Sequence, residues 1–168
     1  IWHCVNDEKP QCFHSSSQLW SDVYFSKDGS RLLIRTKAGP VMLFEKSNTS
    51  YEFIEQFDCK PIVSAEAVTL GFSPHLNQYC FVKSETELVL RDGTNEHVIT
   101  RDEAILKVKF SPCGKFLATC GWKGQAELWS TETGELLHAI RPPGFVCSMA
   151  FSPDGKLFAL GEIGDGFG

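Results

Sequence analysis

Apolar side chains recur at every second position in four short runs. These are Val23 and Phe25; Leu70 and Phe72; Leu106, Val108 and Phe110; and Met149 and Phe151. A period of two is that of an extended strand with one face turned inward. After each run the chain turns, and a second apolar stretch follows. The second stretches are Arg31 to Thr36, Tyr79 to Ser84, Phe116 to Cys120 and Leu157 to Leu160. They are almost continuously apolar, as expected of strands covered on both faces. Third strands are predicted around Phe44, Arg91 and Trp129, and outer strands over Tyr51 to Phe57, His97 to Thr100 and Leu136 to Ile140. No segment carries a helical period of adequate length. The chain is predicted to be all-β.

The turns repeat with the strands. Phe25-Ser26-Lys27-Asp28-Gly29, Phe72-Ser73-Pro74, Phe110-Ser111-Pro112-Cys113-Gly114 and Phe151-Ser152-Pro153-Asp154-Gly155 set their Phe residues 47, 38 and 41 positions apart. Pro presets φ for a tight turn and Gly accepts the positive φ that closes it. Nineteen residues after the anchoring Phe stand Phe44, Arg91 and Trp129, without a gap in three units. Strands and turns of fixed length at a period near forty are the signature of β-propeller blades. Trp20, five residues before Phe25, takes an aliphatic's place and is expected in the core.

An apolar run, Phe-Ser-Pro-Asp-Gly, a short strand ending in small residues, then an aliphatic-Trp-Asp ending resembles the WD repeat. Residues 110 to 137 match best, with Leu128-Trp129-Ser130 in the place of Leu-Trp-Asp and Thr133-Gly134 in the following turn; Ile1-Trp2-His3 is similar to the tail of the same signature. The resemblance implies a β-propeller segment of four-stranded antiparallel blades. It implies a half blade over 1–17, blades over 18–58, 63–101 and 103–141, and a half blade over 144–168. The structural positions carried over are Phe25, Phe44, Phe72, Phe110, Trp129 and Phe151. Family repeats hold a buried network of Gly-His, Asp, Ser/Thr and Trp. Here Ser15-Ser16 and Ala38 stand at the Gly-His and Asp positions of the first unit, and Thr100-Arg101 and Lys123 at those of the third. The blades are therefore expected to be held mainly by apolar packing. The segment is expected to be an open arc of a larger propeller, with the remainder outside this chain. Closure into a four-bladed ring would require residues 1–14 to pair with 145–160.

Composition narrows the function. The 168 residues are 42% hydrophobic and 12% aromatic, with a net charge of −5, which supports a packed core. There is no dense Lys/Arg cluster, so no nucleic-acid footprint is read. No apolar run reaches about 18 residues, so no membrane span is read. Cys4, Cys12, Cys59, Cys80, Cys113, Cys120 and Cys147 form no close pair and are odd in number. They read as free thiols in a reducing compartment, cytoplasmic or nuclear, with Cys113 exposed in its turn. The five histidines are scattered, and no nucleophile elbow, phosphate loop or zinc motif occurs. The terminal run Gly161 to Gly168 reads as the turn between second and third strands rather than a phosphate cradle. No catalytic residue, metal or cofactor is expected.

The expected function is a non-catalytic scaffold of the WD-repeat type, binding other proteins or peptides through its inter-strand loops. The alternative is an accessory or sensor propeller attached to an enzyme or nucleotide-switch domain. Trp122 and Lys123, in the turn Gly121-Trp122-Lys123-Gly124, with Arg101 before the same blade, are the candidate contact residues. An aromatic with adjacent cations suits an acidic or phosphorylated peptide.

Overall fold

A computed structural model describes residues 2–3, 11–12, 20–36, 39–48, 50–60, 70–74, 78–121 and 124–163. These residues contain strands and no helix, and so no helix long enough to cross a membrane. Two short strands, β1 (Trp2–His3) and β2 (Gln11–Cys12), pair with each other. Three four-stranded antiparallel sheets follow. The first contains β3 (Trp20–Phe25), β4 (Arg31–Thr36), β5 (Val41–Lys46) and β6 (Tyr51–Phe57). The second contains β7 (Leu70–Phe72), β8 (Gln78–Val82), β9 (Glu87–Asp92) and β10 (Asn95–Thr100). The third contains β11 (Ile105–Phe110), β12 (Phe116–Gly121), β13 (Ala126–Ser130) and β14 (Leu136–Ile140). A pair, β15 (Phe145–Phe151) and β16 (Phe158–Ile163), comes last. Each four-stranded sheet is one blade of a propeller, its strands in chain order. Among the described residues, β1–β2 and β15–β16 are separate sheets. The first strands β3 and β11 each lie against β7, which sets the inner edge.

The core sits between blades. Strand β8 shows why: Tyr79 and Phe81 join Leu33, Val41, Leu43 and Phe57 of the first blade, while Cys80 and Val82 join Val108, Phe110, Leu117 and Trp129 of the third. Alternate side chains of one strand thus fill two different cores, and an unbroken apolar run is what this requires. Ala118, Cys120 and Ala126 build the next core with Val146 and Met149. Arginines tie successive blades as well. Arg35 donates to the Val82 carbonyl, and Arg91 donates to both Glu55 oxygens, at 3.1 and 2.9 Å, with its guanidinium 4.7 Å from the Phe57 ring centre.

Two sequence expectations need correction. Val23 and Phe25 are about half exposed, at 52% and 51%. They oppose Ile34 and Leu32 on the face of the first blade turned away from the second, and Tyr24 is the β3 residue that packs into the inter-blade core. The other correction concerns polar groups: the third blade is not held by apolar packing alone, as described below.

The Ser-x-x-Gly turns share one design. The Gly29, Gly114 and Gly155 amides donate to the Ser26, Ser111 and Ser152 carbonyls at 2.9, 2.9 and 2.8 Å, with glycine φ of +68°, +72° and +70°. Only glycine enters that left-handed region without strain. Each serine hydroxyl accepts the amide of the residue five positions on, at 2.9 Å from Arg31, 3.1 Å from Phe116 and 2.9 Å from Leu157. In two turns an aspartate completes the clasp. Ser26 Oγ donates to Asp28 at 2.7 Å and the Ser30 amide at 3.0 Å, which holds the Asp28 carboxyl down to about 2. In the third blade a cysteine, Cys113, stands where Asp28 and Asp154 stand.

Candidate functional site

The end of the third blade that joins β12 to β13 carries the turn singled out from the sequence. Trp122 and Lys123 themselves lie outside the described residues, but the frame on either side is defined. Gly121 lies flush on its surroundings: a Cβ there would meet the Ala104 carbonyl at 2.5 Å and the Glu103 carboxyl carbon at 2.7 Å. Gly124, at φ +81°, lies as close to the Gly144 carbonyl, 2.5 Å from where its Cβ would be. A side chain at either position would collide with these neighbouring atoms.

Arg101, expected at a contact surface, is only 4% exposed. Its guanidinium points into the blade, where Nε donates to Glu127, and Nη2 donates to Glu103 at 3.2 Å and to the Gln125 carbonyl at 2.9 Å. Glu127 accepts further from Thr119 Oγ1 at 3.4 Å and from the Gln125 amide, and Trp129 Nε1 donates to Thr119 Oγ1 at 3.0 Å. A buried charge persists only when paired and hydrogen-bonded, and here two carboxylates and a carbonyl enclose the cation. Arg101 is therefore a structural residue and not a contact. The chain Arg101–Glu127–Thr119–Trp129 does the work of the network that the repeat pattern had lost. The carboxylate comes from β13 and not from the preceding turn, so matching motif positions one by one misses it.

The structure adds a cation that sequence reasoning did not single out. Arg141 is exposed, and its Nε and Nη2 donate to Gln125 Oε1 at 2.8 and 2.5 Å. It stands beside the 121–125 turn although it follows it by sixteen residues or more. No local signal marks it, because the register of β14 on β13 brings it there. Three lysines also belong to this blade: Lys107 is half-buried, while Lys109 and Lys115 are exposed. At the inner edge, Tyr24, Phe25, Phe72, Lys107, Lys109 and Met149 from four sheets line a cavity of about 470 Å³. Among the described residues no group of His, Cys, Asp and Glu is placed to hold a metal ion.

The described thiols are free. Burial pushes the Cys59, Cys80 and Cys120 thiols up. The exposed Cys113 thiol is pulled down, first by the Ser111 hydroxyl 3.3 Å away and then by the Lys115 amide. The thiolate is the nucleophile, so Cys113 is expected to react with iodoacetamide at least about tenfold faster than Cys59, Cys80 or Cys120. Mass spectrometry of briefly alkylated native protein checks this; earlier labelling of any of those three would refute it.

Two stretches, residues 93–130 and 134–167, match the family described as WD domain, G-beta repeat. Over these two stretches the chain matches WD repeats. Each match starts at or just before an outer strand and runs into the blade that follows it. The U3 small nucleolar RNA-associated protein 18 homolog of Drosophila melanogaster is 39% identical over 54 residues, 32% of this chain and 11% of that protein. A solved structure titled Kluyveromyces lactis Hsv2 complete loop 6CD superposes with a TM-score of 0.70 at 13% identity, over 87% of this chain and 46% of that one. At that identity the likeness shows the fold alone. The chain thus spans about a tenth of the length of the Drosophila relative and less than half of the solved structure's chain.

Proposed function

We propose that this chain is a non-catalytic protein-interaction scaffold whose third blade holds an acidic or phosphorylated segment of a partner at the 121–125 turn. WD-repeat proteins are in general such scaffolds, and function on a rigid fold concentrates in its loops. The observation that carries the reading is how the residues flanking this turn are held. Gly121 rests on the buried Arg101–Glu103 pair, and Gln125 is held between Glu127 beneath and the exposed Arg141 beside it. Flanks held in this way lower the ordering cost of a contact made between them. Trp122 supplies a stacking surface, and Lys123 and Arg141 supply cations.

The name of the Drosophila relative ties that protein to a small nucleolar RNA, and free thiols suit a reducing compartment. We therefore favour a nuclear setting, with contacts made to protein. The test is a pull-down from nuclear extract with the intact protein, comparing wild type with a Trp122→Ala/Lys123→Glu/Arg141→Glu variant. The variant is expected to lose at least one partner that wild type retains. A folded variant that keeps every partner would show that this turn is not the site.

A further inference from the structure

The opposite end of the same blade carries a second feature. Between the second and third blades lies a cavity of about 440 Å³. Gln78 and Asp92, paired across β8 and β9, line one side; Phe116, at the start of β12, and Thr131, just past β13, line the other. The walls are fixed. Thr131 Oγ1 donates to the Gly114 carbonyl at 2.8 Å, and the Thr131 amide donates to the Lys115 carbonyl at 3.0 Å. Gly134, at φ +71°, lets the turn after β13 close on His97 of β10, with no room for a Cβ, which would lie 2.9 Å from the His97 Cβ.

Gln78 is 3% exposed, and its amide is half satisfied. Nε2 donates to Asp92 Oδ2 at 3.2 Å and reaches the Thr131 carbonyl at 3.5 Å. Both neighbours are acceptors, which fixes the amide's orientation. Oε1 is thereby left buried without a donor. An unpaired buried acceptor costs on the order of a hydrogen bond's desolvation, and a site that keeps one calls for explanation. Around it the lining is rich in acceptors: the Asp92 carboxylate, the Thr131 carbonyl and, at the rim, Glu132. Against these stand the Lys115 ammonium on an exposed stem and the His97 imidazole.

We propose that this cavity binds the guanidinium of an arginine presented by a partner protein. The acceptors belong to two blades and surround one cavity, which suits a planar fork of five N–H donors better than the point charge of a lysine. Phe116 offers the apolar stem or the guanidinium face a ring to lie on. The site is at the blade end bearing the Ser111–Gly114 turn, opposite the 121–125 turn, so it stands or falls independently of that reading.

The experiment titrates the full protein, labelled with ¹⁵N, with Nα-acetyl-arginine amide, Nα-acetyl-citrulline amide and Nα-acetyl-glutamate amide. The arginine compound is expected to give saturable shifts at the Gln78 side-chain amide and the Thr131 backbone amide. Citrulline, which keeps the shape and loses the charge, is expected to bind about tenfold more weakly. The glutamate compound is expected to leave both signals in place. Asp92→Asn, an exposed change that leaves the strand pairing alone, is expected to weaken arginine binding about tenfold, with Glu132→Gln as a second, rim variant. The proposal is overturned if the arginine compound gives no saturable shift at these signals, if the glutamate compound binds as well, or if both variants bind like wild type.

Discussion

Replacing Glu127 with alanine is expected to destabilise the protein by about 3–5 kcal/mol, the range for removing one partner of a buried ion pair. Glu127 is buried and accepts from Arg101, Thr119 and Gln125. Its removal leaves the Arg101 guanidinium with Glu103 and the Gln125 carbonyl only, and leaves the Thr119 hydroxyl, which holds Trp129, without its acceptor. Urea denaturation of the purified protein reads the loss as a lower midpoint at unchanged slope. The double change Arg101→Ala/Glu127→Ala is expected to cost clearly less than the two single losses added, because the groups act as one network. A single-variant loss below about 1 kcal/mol, or simple additivity, would show that the pair contributes little.

Trp129→Ala is expected to cost a comparable amount, about 3–5 kcal/mol, by a different route. The indole packs in the core that joins the second and third blades, among Val82, Leu90 and Leu117. Truncation leaves a cavity between two sheets, each stiffened by its own strand ladder, so neither closes far into it. Trp129→Phe keeps most of the volume and deletes the donor to Thr119, so it is expected to cost about 1–2 kcal/mol. If phenylalanine were as damaging as alanine, the hydrogen bond would outweigh the packing. If alanine cost less than about 1 kcal/mol, Trp129 would not be core.

What the sequence revealed and what it concealed follow from the range of the forces involved. The strands Arg31–Thr36, Tyr51–Phe57 and Leu136–Ile140 were legible to the residue, because alternation and turn chemistry are local signals. The Ser-x-x-Gly turns were legible for the same reason. The burial of Arg101 was not. A cation after an outer strand reads as solvated until Glu127, 26 positions later, is known to face it. The cavity beside Gln78 was hidden too, since its two walls come from different blades. Val23 and Phe25 misled in the opposite direction. Alternation identifies a face, but which face a neighbour covers is a property of the assembly of sheets.

The sharing of β8 between two cores also bears on how such a chain varies through descent. Tyr79 and Phe81 answer to the blade before, Cys80 and Val82 to the blade after. A substitution at Phe81 therefore calls for compensation at Leu43 or Phe57, while its immediate neighbour Val82 answers to Val108 or Leu117. Loss of a single residue from this strand would exchange the two sets at once. The heritable unit is the seam between blades, and lineages of this protein are expected to record paired changes across seams while neighbours along one strand drift apart.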